Sequence, residues 1–209
     1  METYIAIDIG ASSGRLMKSE LIDGQLTLTE VHRFKNGFRM LNGFQRWDIN
    51  YLIQEIVVGL EKIKQNGIEH CYVGIDTWAV DYCLIDKDGT LLGDPIAYRD
   101  SRTKNAVEKF QKLMSLETLY EKTGIQIQAF NTIFQLLVEQ RELLEKTDKL
   151  LLIPDYLGYV FTNQAVMEKT NASTMQLLNP ANDTWDEELL DLVGICKDQL
   201  PPLVEIGRA

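Results

Sequence analysis

Basic residues are in short supply in this chain of 209 residues: 21 Lys and Arg face 31 Asp and Glu, a net charge of −10. No Lys/Arg block interrupts that acidity. Nucleic acid and anionic membrane need basic stripes that displace counterions, so neither is expected as a partner. Cysteine is scarce as well. Cys71, Cys83 and Cys196 are odd in number and lack C-x-x-C spacing, which excludes a disulfide frame or zinc site and fits a reducing compartment; Cys71 and Cys83 read as small hydrophobes in the core. The two histidines, His32 and His70, have no metal-ligand spacing and read as structural. Long apolar runs are missing too. The longest charge-free stretch, 123–138, carries Gln126, Gln128, Asn131 and Gln135 and is too short and polar to span a bilayer. Met1-Glu2-Thr3 has no basic n-region, and Asp8 breaks the apolar run that follows, so a cytoplasmic location is expected.

What is present is ordinary globular composition, 45% hydrophobic and 25% charged, enough for one core. Tyr4 to Ile9 is nearly all apolar, as in a strand buried on both faces. Arg15 to Ile22 and Gln25 to Phe34 read as strands joined by the hairpin pair Asp23-Gly24. Gly37 to Arg46 reads as a loop. Ile49, Leu52, Ile53, Ile56, Val57, Leu60 and Ile63 then share one helical face between the N-cap Asp48 and the stop Gly67. A second strand pair is expected at Cys71 to Thr77 and Val80 to Ile85, with a shorter run at Thr90 to Ile96. Helices are expected at Ala106 to Met114, Leu116 to Lys122, Thr132 to Lys146 and Trp185 to Val193, the last capped at Asp183 or Asp186. A strand at Leu150 to Ile153 stops at Pro154. The order strand, helix, strand implies a βαβ crossover and an α/β fold, a mixed sheet flanked by helices.

Chemistry concentrates at two strand ends. Ala6-Ile7-Asp8-Ile9-Gly10 and Val73-Gly74-Ile75-Asp76-Thr77 each bring a carboxylate to the carboxyl end of a strand, where open α/β sheets place ligands; capping of a turn is the plainer role for each. The loop Gly10-Ala11-Ser12-Ser13-Gly14-Arg15 joins glycines, hydroxyls and a guanidinium, a donor set suited to phosphate, with Asp8 able to hold Mg²⁺ or its waters. A P-loop is excluded because no lysine follows and the next element is a strand. Gly10-x-Ser12-x-Gly14 also fits a nucleophile elbow, but no helix follows and neither histidine comes late enough. Asp76-Thr77-Trp78-Ala79-Val80-Asp81-Tyr82 combines carboxylates with aromatics, which suits a sugar or a tight hairpin with a buried tryptophan. Tyr98-Arg99-Asp100-Ser101-Arg102-Thr103 suits either a polar pocket wall or an ion-paired brace at a helix start.

Taken together, Asp8-x-Gly-Ala-Ser-Ser-Gly-Arg15, Gly74-Ile-Asp-Thr-Trp78, Tyr98-Arg-Asp-Ser-Arg-Thr103, Pro154-Asp155-Tyr156, Thr170-Asn-Ala-Ser-Thr174 and Trp185-Asp186 resemble the FGGY carbohydrate kinases, and among them most closely the rhamnulokinases. The resemblance runs over nearly the whole chain. It implies the actin-like (ribonuclease-H-like) ATPase fold, with ATP and Mg²⁺ used to phosphorylate the 1-hydroxyl of L-rhamnulose. Fuculose, a pentulose such as xylulose, or a non-catalytic nucleotide-binding role are the alternatives. By resemblance Gly10, Ala11, Ser12, Ser13, Gly14 and Arg15 contact ATP phosphates, Asp8 sits by the metal, and Asp76, Thr77, Trp78, Ala79, Asp100 and Arg102 serve the sugar. The family's general-base aspartate and its C-terminal ATP-binding domain lie beyond residue 209, so residues 1–209 are expected to form the sugar- and phosphate-binding half, inactive alone. Two departures are visible: Ala79 and Asn163 stand where glycine is usual, which requires Ala79 to avoid positive φ or bear strain.

Overall fold

Three alternate isoleucines, Ile5, Ile7 and Ile9, are buried along strand Tyr4–Ile9 (β1), while Tyr4 and Ala6 at the alternating positions are exposed. The computed structural model describes residues 3–207 and divides them into two units, one made of residues up to 39 and 47–78, the other of 40–46 and 79 onward. In the first, Ser13–Ile22 (β2) and Gln25–Lys35 (β3) follow β1 as antiparallel neighbours. Asp23 and Gly24 both have positive φ, 51° and 79°, the requirement of a type I′ turn. Phe38–Leu41 (β4) and Phe44–Trp47 (β5) pair through Asn42-Gly43, which repeats that geometry at φ 52° and 83°. The expected loop over 37–46 is therefore a hairpin, and Asn-Gly was its mark.

Helix Ile49–Gln65 (α1) then crosses over to Tyr72–Thr77 (β6), giving a mixed sheet in the order β3-β2-β1-β6 with β1 and β6 parallel. Asp48 caps α1 by accepting from Tyr51 N at 3.0 Å, and Gly67 follows it with φ 82°. Ile49, Leu52, Ile56 and Ile63 bury the apolar stripe of α1. Each such side chain contributes about 1.5–3 kcal/mol relative to exposure. A Cβ on Gly59 would overlap Leu16, so this glycine lets the helix lie close on the sheet. His32 bridges β3 to α1: its Nε2 lies 2.6 Å from Glu55 and its Nδ1 2.8 Å from Lys62 Nζ. Because only a ring acceptor can meet the ammonium, Nδ1 is bare and Nε2–H donates to Glu55. The expectation that β1 is buried on both faces fails; α1 covers one face, and the other shows the stacked rings of Tyr4 and Tyr72, 5.2 Å apart.

The second unit is built on Tyr82–Ile85 (β7), fully buried, which pairs antiparallel with Lys149–Leu152 (β8) and not with β6 as expected. Residues 90–96 make only isolated bridges. Between the two strands come a 3₁₀ turn at Ser101–Thr103 and helices Ala106–Phe110 (α2), Leu116–Thr123 (α3), Thr132–Leu137 (α4) and Arg141–Lys146 (α5). The single helix expected over 132–146 breaks at Glu139, whose carboxylate turns inward to a buried arginine. Next come Ile153–Thr162 (α6), Met167–Glu168 (β9), Lys169–Ser173 (α7), Leu178–Asn179 (β10), Thr184–Trp185 (β11), Glu187–Val193 (α8) and Leu203–Val204 (β12). Pro154 ends β8 as expected but also opens α6, because proline fits the first helical turn, where its missing N–H is not needed. Asn163 ends α6 in the left-handed region at φ 57°, a conformation asparagine tolerates in place of glycine, and Asp186, not Asp183, caps α8 by accepting from Leu189 N at 3.2 Å. Phe110 and Phe134 meet edge-on at 5.6 Å in the core. Cys83 is buried there, whereas Cys71 and Cys196 are exposed, which corrects the reading of Cys71 as a core residue. Among the described residues no helix is long and apolar enough to cross a membrane.

Asp155, in the first turn of α6, accepts from Glu168 N at 3.1 Å through Oδ1, while its buried Oδ2 has no partner. Burial, helped by the Glu168 charge, raises its carboxyl from 3.8 to about 7. The neutral form therefore contributes stability that is complete below pH 3.8 and lost as pH rises through about 7. Asp155→Asn should flatten this dependence: urea unfolding should show the variant gaining on the wild type by ~1–3 kcal/mol between about pH 5 and about pH 8. Parallel pH profiles for the two proteins would contradict it.

Candidate functional site

In the first unit the parallel register of β1 and β6 places Asp8 opposite Asp76 and Ile9 opposite Thr77, so both carboxylates stand at the carboxyl ends of neighbouring strands. Asp8 is half-buried and Asp76 exposed. The connection Gly10–Ser12 is closed by Gly10 N donating to Ser13 O at 2.9 Å. It is braced from the end of β3 by Asn36, whose N donates to Ser12 O at 3.0 Å and whose Nδ2 donates to Gly10 O at 2.8 Å. Asn36 escaped sequence reasoning because its role depends on the β2–β3 register. The two glycines differ in purpose. A Cβ on Gly14 would overlap the Phe34 ring, so Gly14 is needed for packing, whereas a Cβ on Gly10 would meet only Ser13 O, at 3.6 Å.

Arg15 donates to Asp8 Oδ2 from Nε at 2.8 Å and from Nη2 at 2.7 Å. Both side chains are more than 40% exposed, and an ion pair so solvated is worth about 0–1 kcal/mol. An anionic ligand can therefore take Arg15 over at little cost. The donors around the loop are carboxylate and hydroxyl oxygens of Asp8, Asp76, Ser12 and Ser13, hard ligands of the kind Mg²⁺ takes, with water and phosphate completing its shell. Among the described residues no group of three or more His, Cys, Asp or Glu could hold a metal alone. Thr77 Oγ1 donates to Trp78 O at 2.9 Å, and the Trp78 ring lies 4.1 Å from that of Trp47.

The second unit holds a buried polar network. Arg102 donates from Nη1 to Glu139 Oε2 at 2.6 Å, and from Nη2 to Gln135 Oε1 at 2.9 Å and to Tyr82 Oη at 3.3 Å. Tyr82 Oη donates to Glu139 Oε2 at 2.8 Å. Burial pushes the Tyr82 hydroxyl far up, and is also the largest single influence on the Glu139 carboxylate; there the Arg102 charge together with the hydrogen bonds from Arg102, Tyr82 and Gln140 N outweighs it and holds Glu139 below its usual range. Burial likewise disfavours the Arg102 charge, but Tyr82 and Glu139 raise its value overall. Asp100 is buried and accepts from Gln45 N at 2.7 Å and Arg102 N at 2.8 Å. Asp100 and Arg102, both assigned to the sugar by resemblance, are thus engaged within the protein. The fully buried Asp81 accepts from Tyr98 N at 3.1 Å and Gln135 Nε2 at 3.0 Å. Ala79 is half-buried and avoids positive φ; Val80 carries it instead, at 68°. Val80, Gln135 and Glu139 were not nominated from sequence, since neither turn type nor helix break shows in side-chain pattern.

Residues 3–208 match the family described as the FGGY family of carbohydrate kinases, N-terminal domain. The rhamnulokinase of Enterococcus faecalis is 61% identical over 206 residues, 98% of this chain and 42% of that protein. That of Bacillus subtilis is 53% identical over 204 residues, with the same coverage of 98% and 42%. The chain thus spans well under half the length of these curated relatives. Among solved structures, gluconate kinase from Lactobacillus acidophilus superposes with a TM-score of 0.85 at 22% identity, over 97% of this chain and 42% of that one. Plasmodium falciparum glycerol kinase with ADP gives 0.79 at 20% identity, over 97% and 43%. These two likenesses concern the fold alone.

The Arg102–Glu139 pair makes a prediction. Glu139→Gln leaves a buried guanidinium without its countercharge and should lower unfolding free energy by about 3–5 kcal/mol in urea titrations. A loss below about 1 kcal/mol would mean that the pair is solvated.

Proposed function

The chain belongs to the FGGY family of carbohydrate kinases, and from that premise we propose that it forms the sugar- and phosphate-binding half of an ATP-dependent kinase acting on the 1-hydroxyl of L-rhamnulose. The observation that carries the reading is the register of Asp8 with Asp76 beside a glycine-serine loop. Phosphoryl transfer needs positioning and charge neutralisation more than covalent chemistry, and this edge of the sheet offers both. The hydroxyls of Ser12 and Ser13 and the backbone at the unencumbered Gly10 approach phosphate oxygens. Arg15 exchanges its exposed bridge to Asp8 for a bidentate contact with phosphate. Asp8 would hold Mg²⁺ through its waters, and the ion when bound would supply neutralisation of the charge that develops on the transferred group. The tract 76–79, with Asp76, Thr77 and the paired indoles of Trp47 and Trp78, meets the ketose.

The choice of L-rhamnulose over fuculose or xylulose is supported by the identity to the two rhamnulokinases. The general base is assigned to the remainder of the full-length enzyme, so residues 1–209 alone should transfer little or no phosphate.

In the full-length enzyme, Asp8→Asn should lower kcat at least about tenfold and change the ketose KM less than about threefold, as for a group that acts in the transition state. Steady-state kinetics with L-rhamnulose varied at saturating ATP measures both. An unchanged kcat would remove Asp8 from the mechanism.

A further inference from the structure

The residue after Ala79 has an unusual backbone. Val80 is buried, β-branched and at φ 68°, and Asp81 N donates across it to Ala79 O at 2.9 Å. That three-residue ring with positive φ at its centre is the rare, strained form of the γ-turn, and valine is among the residues least suited to it. Such a conformation persists only where its surroundings over-determine it. Here they do. The Val80 carbonyl accepts from Thr132 Oγ1 at 2.7 Å and from Gln135 Nε2 at 3.2 Å, both on α4. Gln135 cannot rotate its amide, because Arg102 donates to its Oε1 while its Nε2 also serves Asp81 Oδ1 at 3.0 Å and Phe130 O at 2.9 Å. Asp81 in turn is held by Tyr98 N.

A short turn without function would relax to glycine or asparagine, which reach positive φ cheaply. From this strain, its grip by two side chains and its position directly after 76–79, we infer that Val80 is a positioning residue for the acceptor sugar. The γ-turn fixes the peptide of Ala79 against the ketose, and Thr132 and Gln135 hold the turn. This rests on the kinase reading given above.

The test uses the full-length enzyme with four variants. Thr132→Val removes the donating hydroxyl at constant shape, and Thr132→Ser restores it. Val80→Gly and Val80→Ala remove the same side chain from the core, but only glycine relieves the strain. Thr132→Val should raise the ketose KM at least about fivefold with the ATP KM within about twofold, and Thr132→Ser should recover it. Val80→Gly should melt above Val80→Ala yet show the higher ketose KM, the reverse of what loss of stability alone would give. Wild-type turnover with a ketose KM unchanged in both Thr132→Val and Val80→Gly would overturn the assignment by itself, as would Val80→Ala melting above Val80→Gly. Absence of ketose turnover in the wild type would overturn the kinase reading and the assignment with it. If Thr132→Val does not fold, the Val80 variants decide the matter.

Discussion

The contact between α1 and one face of the sheet sets the geometry of the first unit. Leu52, Ile56 and Ile63 are buried on α1 and Ile5, Ile7 and Ile9 on β1, and Gly59 allows the close approach of the helix to Leu16 of β2. This burial fixes which face of β1 points inward. A slip of one residue would turn the isoleucines outward and Asp8 inward. The same crossover helix places β6 parallel to β1, so the pairing of Asp8 with Asp76 follows from hydrophobic packing far from either carboxylate. Polar chemistry at the strand ends is thereby held rigidly, although the groups themselves are solvated and weakly bonded to each other.

The second unit reaches precision differently. Its polar centre is buried, and Arg102, Glu139, Gln135, Tyr82 and Asp81 bond to one another at close range, with Arg102 Nε left as the one unpartnered atom among these side chains. In low dielectric each of these bonds is stronger and each lost partner costs more. Such a network is rigid, and rigidity is what a strained turn at Val80 requires. Arg102 acts here through Gln135, which orients the amide that grips the turn.

Much of this was legible in the sequence. The βαβ order, the caps of α1, the Asp23-Gly24 turn and the paired strand-end aspartates rest on local pattern, and local pattern decided them. The β4–β5 hairpin was legible too, from Asn42-Gly43, but Gly37 and Gly43 among exposed-looking aromatics read as a loop. What could not be read depended on distant partners. Tyr82–Ile85 pairs with a strand more than sixty residues on, not with its neighbour in sequence. The apolar period of 132–146 runs through the break at Glu139, because periodicity does not register an ion pair with Arg102. Ala79 drew attention as a replaced glycine, yet the strain lies one residue later, where nothing in the side chain of valine announces a turn.

The activity proposed for the full-length enzyme is transfer of phosphate from ATP to a ketose. Incubating the full-length enzyme with ATP and L-rhamnulose and following products by ³¹P NMR tests it most directly. A phosphomonoester resonance coupled to the protons of C1, formed in step with ADP, is the expected result. Inorganic phosphate without a sugar ester, or no consumption of ATP, would contradict it.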